Sequence, residues 1–274
     1  MMTPPGTIKH QGILLLALIL LAGCDSNSGE SSDPQADARI LVAYCGLDQL
    51  PSQVLAWCGP NAAGQDGMPV TFSVRVDGGT VSPDQFEVET ATGERERPVC
   101  ATLQPAVEPL ENRTVLLAGP FGTPDAQPRS VEVVGAMRDL DGNSLQGLVS
   151  ATTRLEDGPS LVLAERYDPN TPGLAGECPA QANQVVQMVW GGGVTGPDGS
   201  DLGEPQRRSV SIALENGEHV TPIALADDDP DNFVHACVAE ESTAIRVSVE
   251  AGYFHDPGDD PNPITTVNIV AGQE

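Results

Sequence analysis

Three stretches of the chain crowd side chains that bind hard cations. "DLDGN" sets Asp139, Asp141 and Asn143 at alternate positions, "DDDPDN" carries Asp227, Asp229 and Asp231, and "HDPGDDPN" carries Asp256, Asp259 and Asp260. Calcium takes about six to eight oxygen ligands from a sharply turning loop, so these are candidate calcium sites. None is an EF-hand, because the residue eleven places after Asp139 is Ser150 and not the Glu that such a loop needs. Asp, Asn and Gly also favour tight turns for backbone reasons alone, so a turn and a cation site both stand as readings. Calcium is the only cofactor the sequence suggests.

Other chemistries find less support. His219, His235 and His255 fall in separate elements without the spacing that aims two rings at one ion, and they are expected as scattered surface residues. No G-x-S-x-G elbow, H-E-x-x-H pair, phosphate loop or dinucleotide fingerprint occurs, and an enzyme is not expected. "WGGGVTGPDG", from Trp190 to Gly199, follows a strand and leads to Pro rather than to a helix, so it reads as a bend with Trp190 in a core. With 39 acidic residues, no single carboxylate pair stands out as acid and base.

The N-terminal segment fixes the setting. Lys9 and His10 precede an apolar run from Ile13 to Ala22, the length of a signal-peptide core and too short to span a bilayer. It ends in Leu21-Ala22-Gly23-Cys24, which resembles the lipobox of bacterial lipoproteins. That resemblance implies cleavage before Cys24, acylation of its thiol, and attachment to a membrane of the cell envelope. Asp25 resembles the inner-membrane retention signal of enterobacterial lipoproteins, a rule that varies among bacteria, so inner and outer membrane both stay open. Residues 24–37 then read as a flexible tether, since Ser, Gly, Asp and Glu leave little to bury.

Charge narrows the partners. The only lysine is Lys9, so the part from Cys24 onward sets 12 Arg against 39 acids, and 12 − 39 gives a formal charge of −27. Nucleic acid and anionic lipid headgroups are disfavoured as partners. A lipid-anchored protein of this kind is expected to meet the membrane through its acyl chain and another envelope protein through its folded part.

The 24 Pro and 29 Gly disfavour long helices, and between them lie short runs in period-two alternation. They include Val70–Val76, Phe86–Thr90, Thr114–Leu117 and Ser130–Val134, then Val185–Trp190, Arg208–Leu214, Phe233–Val238 and Ala244–Val249. The two sets match in order: "FEVETATGERERP" resembles "VSIALENGEHVTP", and "ENRTVLLAG" resembles "DNFVHACVA". A tandem duplication follows, with residues 38–154 as one unit and 158–271 as the other. Each has the length and strand pattern of an antiparallel β-sandwich. The closing hairpins resemble those of bacterial Ig-like domains, which implies an all-β chain of two tandem Ig-like sandwiches after residues 1–23 and the tether.

The repeat also orders the cysteines. Cys58 and Cys178 precede the first strong strand of each unit, and Cys100 and Cys237 follow the Gly-Glu…Pro segment, so Cys58 with Cys100 and Cys178 with Cys237 are sensible pairs. Cys45 is then an unpaired thiol, although Cys45 with Cys58 is a rival pairing. The leading expectation is a non-enzymatic lipoprotein with a protein-interaction or structural role. A calcium-dependent binding module is the alternative, and an enzyme of unrecognised type the third.

Overall fold

Alternation of apolar and polar residues sets one face of each strand inward. The computed structural model describes residues 38–48, 50, 52–121, 126–226 and 231–273; the signal segment, Cys24 and the tether lie outside these, as do Asp227 and Asp229. The first half contains β1 (Ile40–Cys45), the short helix α1 (Leu55–Cys58), β2 (Asp66–Phe72), β3 (Phe86–Thr90) and β4 (Arg95–Glu96). It continues with β5 (Cys100–Thr102), β6 (Thr114–Gly119), β7 (Pro128–Val133), β8 (Val149–Ala151) and β9 (Thr153–Arg154). The second half contains β10 (Leu161–Tyr167), β11 (Gln184–Trp190), helix α2 (Glu204–Ser209), β12 (Val210–Leu214) and β13 (His219–Val220). It ends with β14 (Ala224–Ala226), β15 (Phe233–Val238), β16 (Ala244–Val249) and β17 (Thr265–Ala271). Among the described residues the fold is all-β apart from short helical turns.

In the first half one sheet runs β5-β6-β2-β1-β9 and a second runs β4-β3-β7-β8. Met68, Val70 and Phe72 of β2 and Val115 and Leu117 of β6 meet Phe86, Val88, Val131 and Val133 of the facing sheet in one core. The second half repeats this pairing order with one difference. Its eight strands form a single sheet, β13-β12-β16-β17-β10-β11-β15-β14. The cause lies in β17, which pairs antiparallel with β16 through residues 265–268 and then parallel with β10 through Ile269–Ala271. In the first half the same path breaks at Thr152, whose hydroxyl donates to the Pro128 carbonyl between β8 and β9. The sheet of the second half closes over Met188, Trp190, Ile212, Leu214, Val234 and Val247, with Trp190 stacked on Phe254 at 4.7 Å between ring centres.

Two local readings change. Arg208 and Ser209 belong to α2 and not to the strand expected from Arg208. Glu204 pairs with both Arg207 and Arg208 three and four residues on, and the Gln206 side chain accepts the Gly203 N–H, so the segment closes a helical turn first. β2 ends at Phe72, earlier than expected, although Val74 and Val76 still face the core.

Residues Gln35–Glu274 form one compact unit, which contains every strand, both disulfides and every core residue described here. The two halves touch closely along the "WGGG" stretch: a Cβ on Gly191 would run into the Tyr44 ring, and Gly192 lies against Pro69. Gly158, between the halves, has φ +72°, and a Cβ there would collide with the Pro261 carbonyl. Its own carbonyl accepts the Tyr44 hydroxyl at 3.2 Å. Gly158→Ala is therefore expected to cost more than about 1 kcal/mol, through both φ and the collision, and urea unfolding of the unit starting at Gln35 will measure it.

Candidate functional site at the joint between the halves

Charged side chains are seldom fully buried unless paired, and here two are. Arg113, just before β6, is 0% exposed, and Glu165 in the middle of β10 is 0% exposed. The Arg113 Nη2 group donates to both carboxylate oxygens at 2.7 and 2.6 Å, while Nη1 donates to the Ser73 carbonyl at 2.7 Å. The Tyr167 hydroxyl donates to Glu165 Oε2 at 2.9 Å. Burial, aided by the Glu165 charge, pushes the Tyr167 phenol well above its ordinary range, so it stays a donor.

The ladder extends this polar line. Glu165 pairs with Gln187 on β11, and Gln187 pairs with His235 on β15. All three are buried, and Gln187 Nε2 lies 3.0 Å from His235 Nε2. On the other side of the joint Glu111, 2% exposed, sets Oε1 3.5 Å from His235 Nε2. His235 is thus a core residue of the joint and corrects the expectation of scattered surface histidines; His219 is exposed and His255 partly buried. Its burial follows from β15, whose six residues are all buried because the first half covers their second face.

Glu108, Glu111 and Asp231 come together at this end of the joint, each offering an oxygen within 4.8 Å of the others. Glu108 and Glu111 lie in the turn before β6, and Asp231 lies just before β15. Asp231 also accepts the Phe233 N–H at 2.6 Å, and Glu108 Oε2 is buried without a hydrogen-bond partner. Of the Asp-rich candidates, only Asp231 enters such a group among the described residues.

The other candidates serve as turns. Asp139 accepts the Asn143 N–H at 2.7 Å and its side-chain amide at 2.9 Å, while Asp141 is exposed. Asp256 accepts from the N–H groups of Gly258 and Asp260, and burial raises its carboxyl above the ordinary value against those two bonds. Asp259 accepts the Asp198 N–H and pairs with His255 at 2.7 Å, which holds its carboxyl low. Each of the three carboxylates has a backbone donor; the Gly258 N–H bond to Asp256 is that of an Asx turn, and Asp256 Oδ2 is buried without a hydrogen-bond partner.

The described residues also form concave surfaces, of which two bear on the site. A cleft of about 510 Å³ is lined by Cys45, Met68, Phe121, Arg154 and Glu156. Its thiol is unpaired and buried, and burial pushes its pKa up, away from the thiolate that a nucleophile needs. A smaller groove of about 220 Å³ runs along the joint past Leu50, Val54, Trp57, Pro105, Leu116 and Asp231. Trp57 on α1 is 40% exposed there. Its helix is fastened by the Cys58–Cys100 disulfide to β5, and Cys178–Cys237 ties the segment before β11 to β15 in the second half.

No family model matches the chain, and no curated protein matches it. Among solved structures, a thermostable esterase is similar at 14% identity over 63% of this chain and 44% of that one, with a TM-score of 0.29. The N-terminal part of the bacterial S-layer protein SbsC is similar at 11% identity over 85% of this chain and 44% of that one, TM-score 0.29. Domains 1–6 of SbsC give 12% identity, coverage of 86% and 41%, and a TM-score of 0.30. The chain spans less than half the length of each, and likeness this distant carries no argument about function.

Removing one member of the buried pair leaves the other charged and unpaired. Arg113→Met is expected to cost about 3–5 kcal/mol, whereas Arg113→Met with Glu165→Met together costs much less than two such losses. Urea unfolding of both variants reads the difference.

Proposed function

We propose that this is a non-enzymatic lipoprotein of the bacterial cell envelope, in which Cys24 carries the acyl anchor, residues 24–37 form a tether, and two tandem Ig-like sandwiches are held out for another envelope protein. The observation that carries the reading is the buried joint of Arg113, Glu165 and Tyr167. It holds the two halves in one fixed orientation, as a structural spacer or a presenting surface requires. The common pairing order of the halves supports descent from one duplicated unit. The formal charge of −27 beyond the signal favours a basic partner over nucleic acid or anionic lipid.

The anchor is tested with the full chain expressed in a bacterium. The parent protein is expected to enter the detergent-rich phase on Triton X-114 separation, and Cys24→Ala to stay in the aqueous phase or retain its signal. Equal partition of the two would remove the anchor from this account.

A second reading, a calcium-dependent binding module, is favoured by one observation, the grouping of Glu108, Glu111 and Asp231 at the joint. The cation would sit there rather than in the Asp139 or Asp256 turns. Under it the thermal midpoint rises with calcium and falls with chelator, by an amount equivalent to about 2.7 kcal/mol at a hundredfold excess over Kd. Glu108→Gln is expected to abolish the rise; a midpoint indifferent to calcium ends this reading.

A further inference from the structure

We propose that the groove beside Trp57 is the docking pocket for one arginine side chain of the basic partner, with its guanidinium directed at the acids of the joint. This deepens the presenting role proposed above and rests on it.

Size, lining and charge each narrow the occupant. A volume of about 220 Å³ falls below the roughly 300–1,000 Å³ of pockets that enclose metabolites, but it suits a single anchoring side chain. Its walls are apolar: Leu50, Val54, Trp57, Pro105 and Leu116. An apolar stem is therefore required. The lining also includes Asp231, whose carboxylate neighbours those of Glu111 and Glu108, and the Glu108 Oε2 atom is buried without a hydrogen-bond partner. The tip of the occupant must then be cationic and able to donate.

The protein's own tether does not meet these terms, since residues 24–37 contain no Lys or Arg and bring more acid. A second copy is disfavoured for the same reason, as it carries the same excess of acids. Arginine joins a long apolar stem to a planar fork that donates to carboxylates and lies flat on an indole face. It is also among the residues that most often anchor protein interfaces. Trp57 is held at the groove wall by the neighbouring Cys58–Cys100 disulfide, so part of the ordering cost is met before binding.

The test uses the unit starting at Gln35, labelled with ¹⁵N. The indole N–H resonance of Trp57, assigned through Trp57→Phe, is followed while n-butylguanidinium, n-butanol or butyrate is added. A saturable shift is expected with n-butylguanidinium, with Kd roughly tenfold or more below that for butanol, the discrimination of one charged hydrogen bond. Butyrate is expected to bind worst. Glu108→Gln, at a partly exposed site, is expected to erase most of the preference over butanol, and Asp231→Asn, which keeps the acceptor for Phe233, to do the same. Equal affinity for butanol and n-butylguanidinium overturns the proposal in favour of a merely apolar groove. A Trp57 signal that answers calcium and not n-butylguanidinium overturns it in favour of a metal site. An envelope partner captured as well by Trp57→Ala as by the parent protein would leave the presenting role standing and remove this pocket from it.

Discussion

The burial of Arg113 against Glu165 sets the terms for the rest of the molecule. Taking either charge out of water alone would cost several kcal/mol, so the pair survives only where both are delivered together with further donors and acceptors. Ser73 supplies a carbonyl and Tyr167 a hydroxyl, and each comes from a different strand or connection. The first half must therefore present the start of β6 and the second half the middle of β10 at one distance and angle. Apolar contacts between Ala106, Val189 and Phe233, and the Tyr44 ring over Gly191, close the sides of the same joint and exclude water from it. Apolar packing alone tolerates sliding; a buried ion pair with directed hydrogen bonds does not.

That constraint explains which parts of the chain could be read from sequence. The strands that face solvent on one side, such as β3 with its buried and half-buried residues in turn, show clean alternation and lie where the pattern puts them. Three strands at the joint or sheet junction escaped. β1 reads "ILVAYC", nearly all buried, because the second half covers its outer face. β10 reads "LVLAERY", where Glu165 interrupts an apolar run and finds its partner 52 residues earlier. β17 alternates but also joins two strands with opposite pairing senses, a matter of closure and not of local pattern. The two disulfides were legible because each unit has one cysteine ahead of its first strong strand and one after the Gly-Glu…Pro segment, although Cys100 lies on β5 and Cys237 on β15, the counterpart of β6.

The site was legible only in fragments. In a chain with 39 acids, Asp231 carried no more weight than its neighbours in "DDDPDN". What distinguishes it is company from the other half: Glu108 and Glu111 are more than a hundred residues away in the chain. Asp139 has the alternate spacing of a cation loop, yet both of its oxygens are taken by Asn143, through the backbone N–H and the side-chain amide. At Asp256 the Gly258 and Asp260 N–H groups share Oδ1, as in an Asx turn, and Oδ2 is buried without a hydrogen-bond partner. His235 likewise gave no sign of its burial, since its strand is apolar on both sides and its contacts with Gln187 and Glu111 come from other elements.

A rigid joint suits the presenting role proposed above. If the two halves swung freely, a partner that touches both would have to freeze that motion, and each immobilised degree of freedom would weaken binding. Fixing the halves removes this cost. The groove at Trp57 lies at the joint, where the fixed geometry has the greatest effect: its walls come from Leu50, Val54 and Trp57 of the first half and its carboxylate from Asp231 of the second. A surface assembled from both halves keeps its shape only as long as the buried pair holds. The polar interior of the joint and the partly exposed groove on its rim are therefore two consequences of one arrangement.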